Sequence, residues 1–496
     1  MIIIKEGEIC HRANREFGLD KYTNKEICGL PTADELRAAL NCDEGSSVRT
    51  EIGKLFDLSS FIEVGAFVKR GFSDFLSTEK ANEFEGVICG YGAINEKLVF
   101  VFAEDASRMG GVIDERHAKK IADLYSLAIK NGAPVIGIFN SNGTDIFAGT
   151  AGLAAYGKIM ATVSSASGVI PQIALVTGNC IGLSSAIASM FDFTVKASDA
   201  SLYVSSPALT GAEGAQDSLV AYTDGVDKCI GYVRNLVSFL PMNSDVGIVV
   251  DSCADNLNRM LGDLDFAGDA RSCIATIADN SIFYEISGDF AKSVVTAFAS
   301  IGGVRCGIVA NSFANNEGRI DVAAARKISK FVNFCNSFSL PIVTLVDSNG
   351  VVIDKENEMN YYAPELARLA TAYISSTVPK ITVIIGHAIG ASFVLLGSKS
   401  FGADIVYTVD NAEVCALTAE SGVAFAWDKY ITLDKKRDEF IAEWKADVAS
   451  PARACASGEI DDIISTNELR ARICSALLML SCKGQNSLIG SKILPL

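Results

Sequence analysis

Apolar residues recur at helical spacing along one part of the chain: Ala118, Ile121, Leu124, Tyr125 and Ala128. That stripe is one face of an amphipathic helix, expected over 114–130 and turned towards a core. A proline-led apolar run follows in Ala133–Gly143 and reads as a buried strand closing on Ser-Asn-Gly. The whole pattern then returns. Ala325, Ile328, Phe331, Val332 and Cys335 repeat the stripe 207 residues later, and Leu340–Gly350 repeats the strand and its Ser-Asn-Gly. Further on, Pro171, Gly178 and Gly182 meet Pro379, Gly386 and Gly390 at an offset of 208. Upstream, Asp57, Phe61 and Glu63 match Asp279, Phe283 and Glu285 at 222. The change of offset places about 15 extra residues in the first half, around Gly71–Glu83.

Each half reads as two strands, a glycine loop, a helix, a strand, a Ser-Asn-Gly loop, a helix, a strand, a Gly-x-x-x-Gly loop and a helix. Strands alternating with helices make an α/β architecture, here written twice. Asn243–Arg271 is rich in Asp, Asn and Gly and weakly periodic, which puts the domain boundary there: one domain over 1–245, a second over 246–496. Lys429–Asp447 and Thr466–Cys482 are expected as charged amphipathic helices that close the second half.

Composition narrows the class. Of 496 residues, 49% are apolar and 21% charged, as in a packed globular protein. Mean hydropathy is +0.28. Yet runs such as Leu98–Ala103 and Ile381–Ile385 fall far short of the ~20 residues of a spanning helix. The first residues carry no export signal, so a cytoplasmic protein is expected. Net charge is −16, which argues against nucleic acid as a partner. The 14 cysteines include no C-x-x-C pair, and several sit in apolar segments (Cys89, Cys180, Cys306, Cys335, Cys415). They read as reduced core residues, not as a zinc ribbon. With three histidines (His11, His117, His387) a His-rich metal site is excluded, and no metal is expected.

The chemistry therefore has to come mainly from the backbone. Gly178–Gly182 and Gly386–Gly390 each join an apolar strand to a helix, where unpaired N–H groups suit an anionic oxygen. Close helix–strand packing is the plain alternative for a single loop; two equivalent loops suit a reaction of two substrates. The Ser-Asn-Gly loops line the same cleft or are simply turns. Gly110 and Gly111 are further candidates. His117 is expected on the polar side of its helix start, in a surface or capping role. His387 is an outside candidate for proton transfer. No serine-hydrolase elbow, zincin motif or phosphate-binding P-loop is present.

The chain resembles the carboxyltransferase subunit of biotin-dependent acyl-CoA carboxylases and decarboxylases, the propionyl-CoA, methylmalonyl-CoA and glutaconyl-CoA group. The resemblance is carried by LFDLSSFIEV (55–64), GVICGYGAINEKLVFVFAED (86–105), SGVIPQIALVTGNCIG (167–182), RKISKFVNFCNSFSLPIVTLVD (326–347) and STVPKITVII with FGADIVY (376–407). It implies two tandem crotonase-like β-β-α superhelix domains, acyl-CoA on the N-terminal one and carboxybiotin on the C-terminal one. It also implies catalysis by backbone oxyanion holes, at Gly182 and Leu183 for the thioester and at Gly390 and Ala391 for biotin. Ser392 would assist the second. Gly110, Gly111, Asn142, Gly143, Asn349 and Gly350 would line the substrate cleft. No A-M-K-M biotinylation site is present, so biotin would arrive on a carrier protein. A biotin carboxylase subunit or a membrane decarboxylase subunit would be further partners, and the chain would be a homo-oligomer, dimer or hexamer.

Several family motifs are altered. The family's Gly-Gly is Gly182-Leu183, its Tyr-Gly-Gly-Ala is Ile389-Gly390-Ala391-Ser392, and an Arg in the first loop is replaced by Asp145. Two other readings stand beside active carboxyl transfer: a non-catalytic paralogue serving as a structural subunit, and a biotin-independent crotonase-type enzyme of CoA thioesters.

Overall fold

The computed structural model describes residues 34–35, 47–69, 84–144, 149–212, 220–261, 268–431 and 435–483. Residues 51–496 form one compact unit, separate from 1–50, and hold both sheets.

The first sheet contains β1 (Ile62–Val64), β2 (Val87–Ile94), β3 (Lys97–Glu104), β4 (Val135–Ser141), β5 (Gln172–Ile181), β6 (Phe193–Ala197), β7 (Ser201–Tyr203) and β8 (Tyr222–Asp224). Across the sheet they run β1-β2-β3-β4-β5-β6-β8, with β7 beside the far end of β5. The second contains β9 (Phe283–Ile286), β10 (Val294–Ile301), β11 (Val304–Asn311), β12 (Ile342–Ser348), β13 (Lys380–Ile389), β14 (Ile405–Val409), β15 (Glu413–Cys415) and β16 (Asp462–Ile464). Its order is the same, with β15 beside β13. In both, the first three strands pair antiparallel and the rest parallel. The duplication therefore holds strand by strand.

Local chemistry explains the elements. Val135, Ile136, Ile138 and Phe139 of β4 are all buried, because a central parallel strand is covered on both faces and so reads as an unbroken apolar run. Each hairpin turns through two residues at positive φ: Asn95 and Glu96 in the first half, Gly302 and Gly303 in the second. Helix α1 (Glu115–Asn131) starts where Asp114 accepts from the N–H groups of Arg116 and His117, and stops at Gly132 in the left-handed region. Its counterpart α2 (Val322–Ser337) starts on Asp321. The repeat offset changes between β1 and β2, as expected, though Gly71–Glu83 itself lies outside the described residues.

The two halves share an aromatic cluster. The Phe193 ring lies 5.8 Å from Phe298 and 4.7 Å from Phe334, and Phe239 lies 5.6 Å from Phe298. Such pairs add about 0.5–1.5 kcal/mol each beyond the area they bury. No helix among the described residues is long and apolar enough to cross a membrane.

Two expectations are corrected. Lys429–Asp447 is not one helix: a 3-10 turn at Asp428–Tyr430 precedes helix α3 (Arg437–Glu443), which widens into a π-turn at Trp444–Val448. Burying Trp444 and Phe440 against Val423 and Ala449 takes precedence over regular helical spacing there. Thr466–Cys482 does hold a helix, α4 (Leu469–Leu480), which buries Leu469, Ile473 and Leu477 against the second sheet. The Gly-x-x-x-Gly segments are not loops throughout either. β5 and β13 continue to Ile181 and Ile389, paired with β7 and β15, so only the last glycine of each motif forms the turn.

Candidate functional site

The two turns are near copies. Gly182 has φ 60°, ψ −129° and Gly390 φ 58°, ψ −127°, a region open to glycine alone. Each glycine's own N–H is taken: Gly182 donates to the Tyr203 carbonyl at 3.0 Å and Gly390 to the Cys415 carbonyl at 2.8 Å. They are therefore not themselves the oxyanion donors that sequence places there. The next N–H groups, on Leu183 and Ala391, open short helices (Leu183–Ser189 and Ala391–Leu395) without a side-chain cap. In a first helical turn they have no intrahelical acceptor, and no described residue accepts from them. Around Gly182 the space beside Cα is empty to 4 Å. Leu183 is 44% exposed, unlike Ser184, Ser185, Ile187 and Ala188 of the same helix, which are buried.

The first glycine of each motif has a different task. A Cβ on Gly178 would lie 2.1 Å from Asn140 Oδ1, and one on Gly386 2.4 Å from Asp347 Oδ1. Those oxygens accept the N–H of Asn179 (3.2 Å) and of His387 (2.9 Å). Absence of a side chain lets a neighbouring strand reach across.

The Ser-Asn-Gly and glycine turns are bonded to each other. Ser141 Oγ accepts from Gly143 N at 3.1 Å, as Ser348 Oγ does from Gly350 N at 3.2 Å. Asn142 N–H donates to the Gly110 carbonyl at 2.9 Å, and Asn349 N–H to the Glu317 carbonyl at 3.1 Å. Asn142 Oδ1 also accepts from Asn179 Nδ2 at 2.7 Å. A Cβ on Gly111 would stand 2.6 Å from the Asn140 carbonyl. Gly110, Gly111, Asn142 and Gly143 thus form one knot beside the end of β5. Asn349 and Gly350 form its counterpart, with Glu317 and Gly318 in place of the two glycines. Ser392 does not face outward: its hydroxyl is buried between the carbonyls of Ile389 (2.8 Å) and Ser348 (3.1 Å), with its one proton shared between them, which ties the turn to the Ser-Asn-Gly loop. Asp145 lies outside the described residues.

His117 is fully buried, with Nδ1 3.5 Å from Glu85 Oε1, not on the polar side of its helix. It stands one turn before Ile121 and so extends the apolar stripe. His387 sits on β13 with Nδ1 2.8 Å from Asp347 Oδ1.

One titratable group was missed. Glu104 ends the apolar run of β3, is 1% exposed, and accepts from Asn140 N–H at 3.0 Å. Burial pushes its carboxyl up to about 8. A carboxyl whose folded value exceeds its unfolded value (4.5) binds a proton more tightly when folded. Stability is therefore expected to fall as pH rises from about 4.5 towards 8. Glu104→Gln should remove that slope, with melting temperatures of variant and wild type diverging over this range in the variant's favour. A parallel pair of curves would contradict it. The signal in sequence was an acid closing the apolar run Leu98–Ala103, directly before Asp105.

The carboxyl transferase domain model matches residues 42–489. Methylmalonyl-CoA decarboxylase subunit alpha of Veillonella parvula is 34% identical over 466 residues, covering 89% of this chain and 91% of that protein. The mitochondrial propionyl-CoA carboxylase beta chain of Homo sapiens is 32% identical over 494 residues, 94% and 91% of the two chains. Among solved structures, the transcarboxylase 12S hexamer with methylmalonyl-CoA and methylmalonic acid bound superposes with a TM-score of 0.86 at 29% identity, over 93% of this chain and 98% of that one.

Proposed function

Since this chain belongs to the carboxyl transferase domain family, we propose that it moves a carboxyl group between biotin, held on a separate carrier protein, and an acyl-CoA thioester. The observation that carries the mechanism is the pair of matched turns at Gly182 and Gly390, each presenting the following N–H without a partner. The half over 1–245 takes the acyl-CoA and the half over 246–496 takes biotin. Leu183 N–H faces the thioester oxygen as charge develops on it, and Ala391 N–H faces the ureido oxygen. Both are preorganised dipoles that do not reorient during reaction.

The unpartnered Ala391 N–H at the second turn supports placing biotin there. A Cβ at Gly390 would come within 3.2 Å of the Ala416 carbonyl, so the turn keeps a bare backbone beside its donor. When bound, biotin supplies the ureido nitrogen that carries the carboxyl group. A biotin carboxyl carrier protein, with a biotin carboxylase or a membrane decarboxylase subunit, completes the assembly. The hexameric relative supports a homo-oligomer, dimer or hexamer.

The test is carboxyl transfer between methylmalonyl-CoA and free biotin by the purified chain. Wild type is expected to be active, and Leu183→Gly to remain within about tenfold of it, since a backbone N–H survives a change of side chain. Transfer seen only with the glycine variant would mean that Leu183 blocks the site and the natural chain is inert.

A further inference from the structure

The repeat exposes one difference that the duplicated frame does not need. In the first half, four positions around the end of β5 are neutral: Gly110, Asn140, Asn179 and Ser201. Their counterparts around the end of β13 are Glu317, Asp347, His387 and Glu413. The backbone bonds are the same in both, Asn179 N–H to the Asn140 side chain and His387 N–H to the Asp347 side chain. Holding the turn in shape therefore requires no ionisable group.

The four side chains arrange His387 for proton exchange. Asp347 Oδ1 lies 2.8 Å from Nδ1 and also accepts the His387 backbone N–H, which fixes the ring and keeps the proton on Nδ1. Phe313 stacks on the ring, 4.4 Å between centroids and 18° from parallel. That leaves Nε2 as the atom able to change its proton. It stands 4.0 Å from Glu413 Oε1, beyond hydrogen-bond reach, and Lys445 Nζ holds that oxygen at 2.7 Å. Glu317, the remaining charged neighbour, is engaged by Asn349 and Arg319. The side chain of His387 is 30% exposed, so it is open to a ligand, while Asp347 is 14% exposed. Burial alone would lower the imidazole's affinity for a proton; the Asp347 hydrogen bond and charge, with Glu413 behind, raise it above the usual value despite Lys445.

We propose that His387 is the proton-transfer group of the biotin side, giving up and recovering a proton at Nε2 in each turnover. The inference rests on the carboxyl transfer proposed for the chain. For every carboxyl group moved from nitrogen to carbon, the N–C bond breaks with its electron pair left on nitrogen, and that nitrogen gains one proton. One C–H bond of the acyl group breaks, and its electron pair forms the new C–C bond. His387 supplies the first proton from Nε2 and takes up the second at the same atom, so the enzyme ends each cycle as it began. In the reverse direction the two exchanges run backwards.

Two measurements test it on the full chain. The first needs no bound ligand: carbethoxylation by diethylpyrocarbonate, which attacks neutral imidazole, followed across pH by mass spectrometry of the His387 peptide. The midpoint is expected above the ordinary ~6.5 and should fall in Asp347→Asn. The second is transfer between methylmalonyl-CoA and free biotin. His387→Gln is expected to lower kcat by about 10²–10³, with little change in KM, and to flatten the pH profile. Asp347→Asn should keep part of the rate and move the profile towards acid, a response that a packing role would not produce. An active wild type with His387→Gln within threefold of it at every pH overturns this inference alone, as does a His387 midpoint at or below ~6.5. A wild type that transfers nothing overturns the proposed function and this inference together.

Discussion

Gly182→Pro is expected to lower carboxyl transfer by at least about 10²-fold, the usual cost of losing one oxyanion donor. Proline holds φ near −65°, whereas Gly182 stands at +60°. The substitution also deletes the N–H that donates to the Tyr203 carbonyl and seats the turn against β7. Both effects swing the Leu183 N–H away from where it points. The change is local, because nothing lies within 4 Å of the Cβ direction at Gly182. The variant should therefore stay folded, with a far-ultraviolet spectrum close to wild type and a melting temperature lowered by the strained φ and the lost Tyr203 bond. Gly390→Pro is the matching change on the other turn. Near-normal transfer by a folded Gly182→Pro chain would remove this turn from the mechanism.

Arg470→Ala is expected to destabilise the fold by on the order of 3–5 kcal/mol. Arg470 is fully buried, lies on α4, and places its guanidinium 2.7 Å from Asp279 Oδ1 and 3.3 Å from Asp255 Oδ2, with the Ile277 carbonyl as a further acceptor. Asp279 in turn accepts the N–H groups of Gly302 (2.9 Å) and Gly303 (2.8 Å), the turn between β10 and β11. Truncation would leave Asp279 facing a void without its cation, while Asp255 would keep only Arg259, at 3.0 Å. The first half has the same clamp in an open form: Asp57 accepts from Glu96 N–H in the equivalent turn and from Arg234 Nη2 at 2.7 Å. Arg234 is 25% exposed, so Arg234→Ala should cost much less, within about 1 kcal/mol. Urea or thermal melts of the two variants decide the ranking.

The repeat made most of the fold legible. Asp57 and Asp279 already stood out as a matched pair in sequence, and the structure gives them one job, bracing a hairpin turn. Proline-led strands, capped helices and the turn glycines could be read because each depends on a local rule. The three short strands closing each sheet could not, because runs such as Ser201–Tyr203 owe their conformation to the strand beside them. The chemistry was legible in place but not in detail. Gly182 and Gly390 mark the turns correctly, yet which N–H is left over depends on Tyr203 and Cys415, residues 21 and 25 positions away along the chain. Ser392 looked like a donor to a ligand until its hydroxyl was found turned inward. His117 looked polar because its neighbours Glu115 and Arg116 are charged, although its spacing to Ile121 belonged to the core stripe.

The aromatic cluster that joins the halves bears on how such a chain can diverge. A duplicated segment is commonly free to drift once the other copy carries the original task. Here Phe193 of one copy packs on Phe298 and Phe334 of the other, so a volume change in either interior disturbs both. The strand ends are free of that constraint, because the turns there are seated by backbone bonds, Gly182 N–H to the Tyr203 carbonyl and Gly390 N–H to the Cys415 carbonyl. Neutral Asn179 on one side and ionisable His387 on the other are what that freedom leaves: two inheritances of one scaffold, held together by their interiors and specialised at their rims.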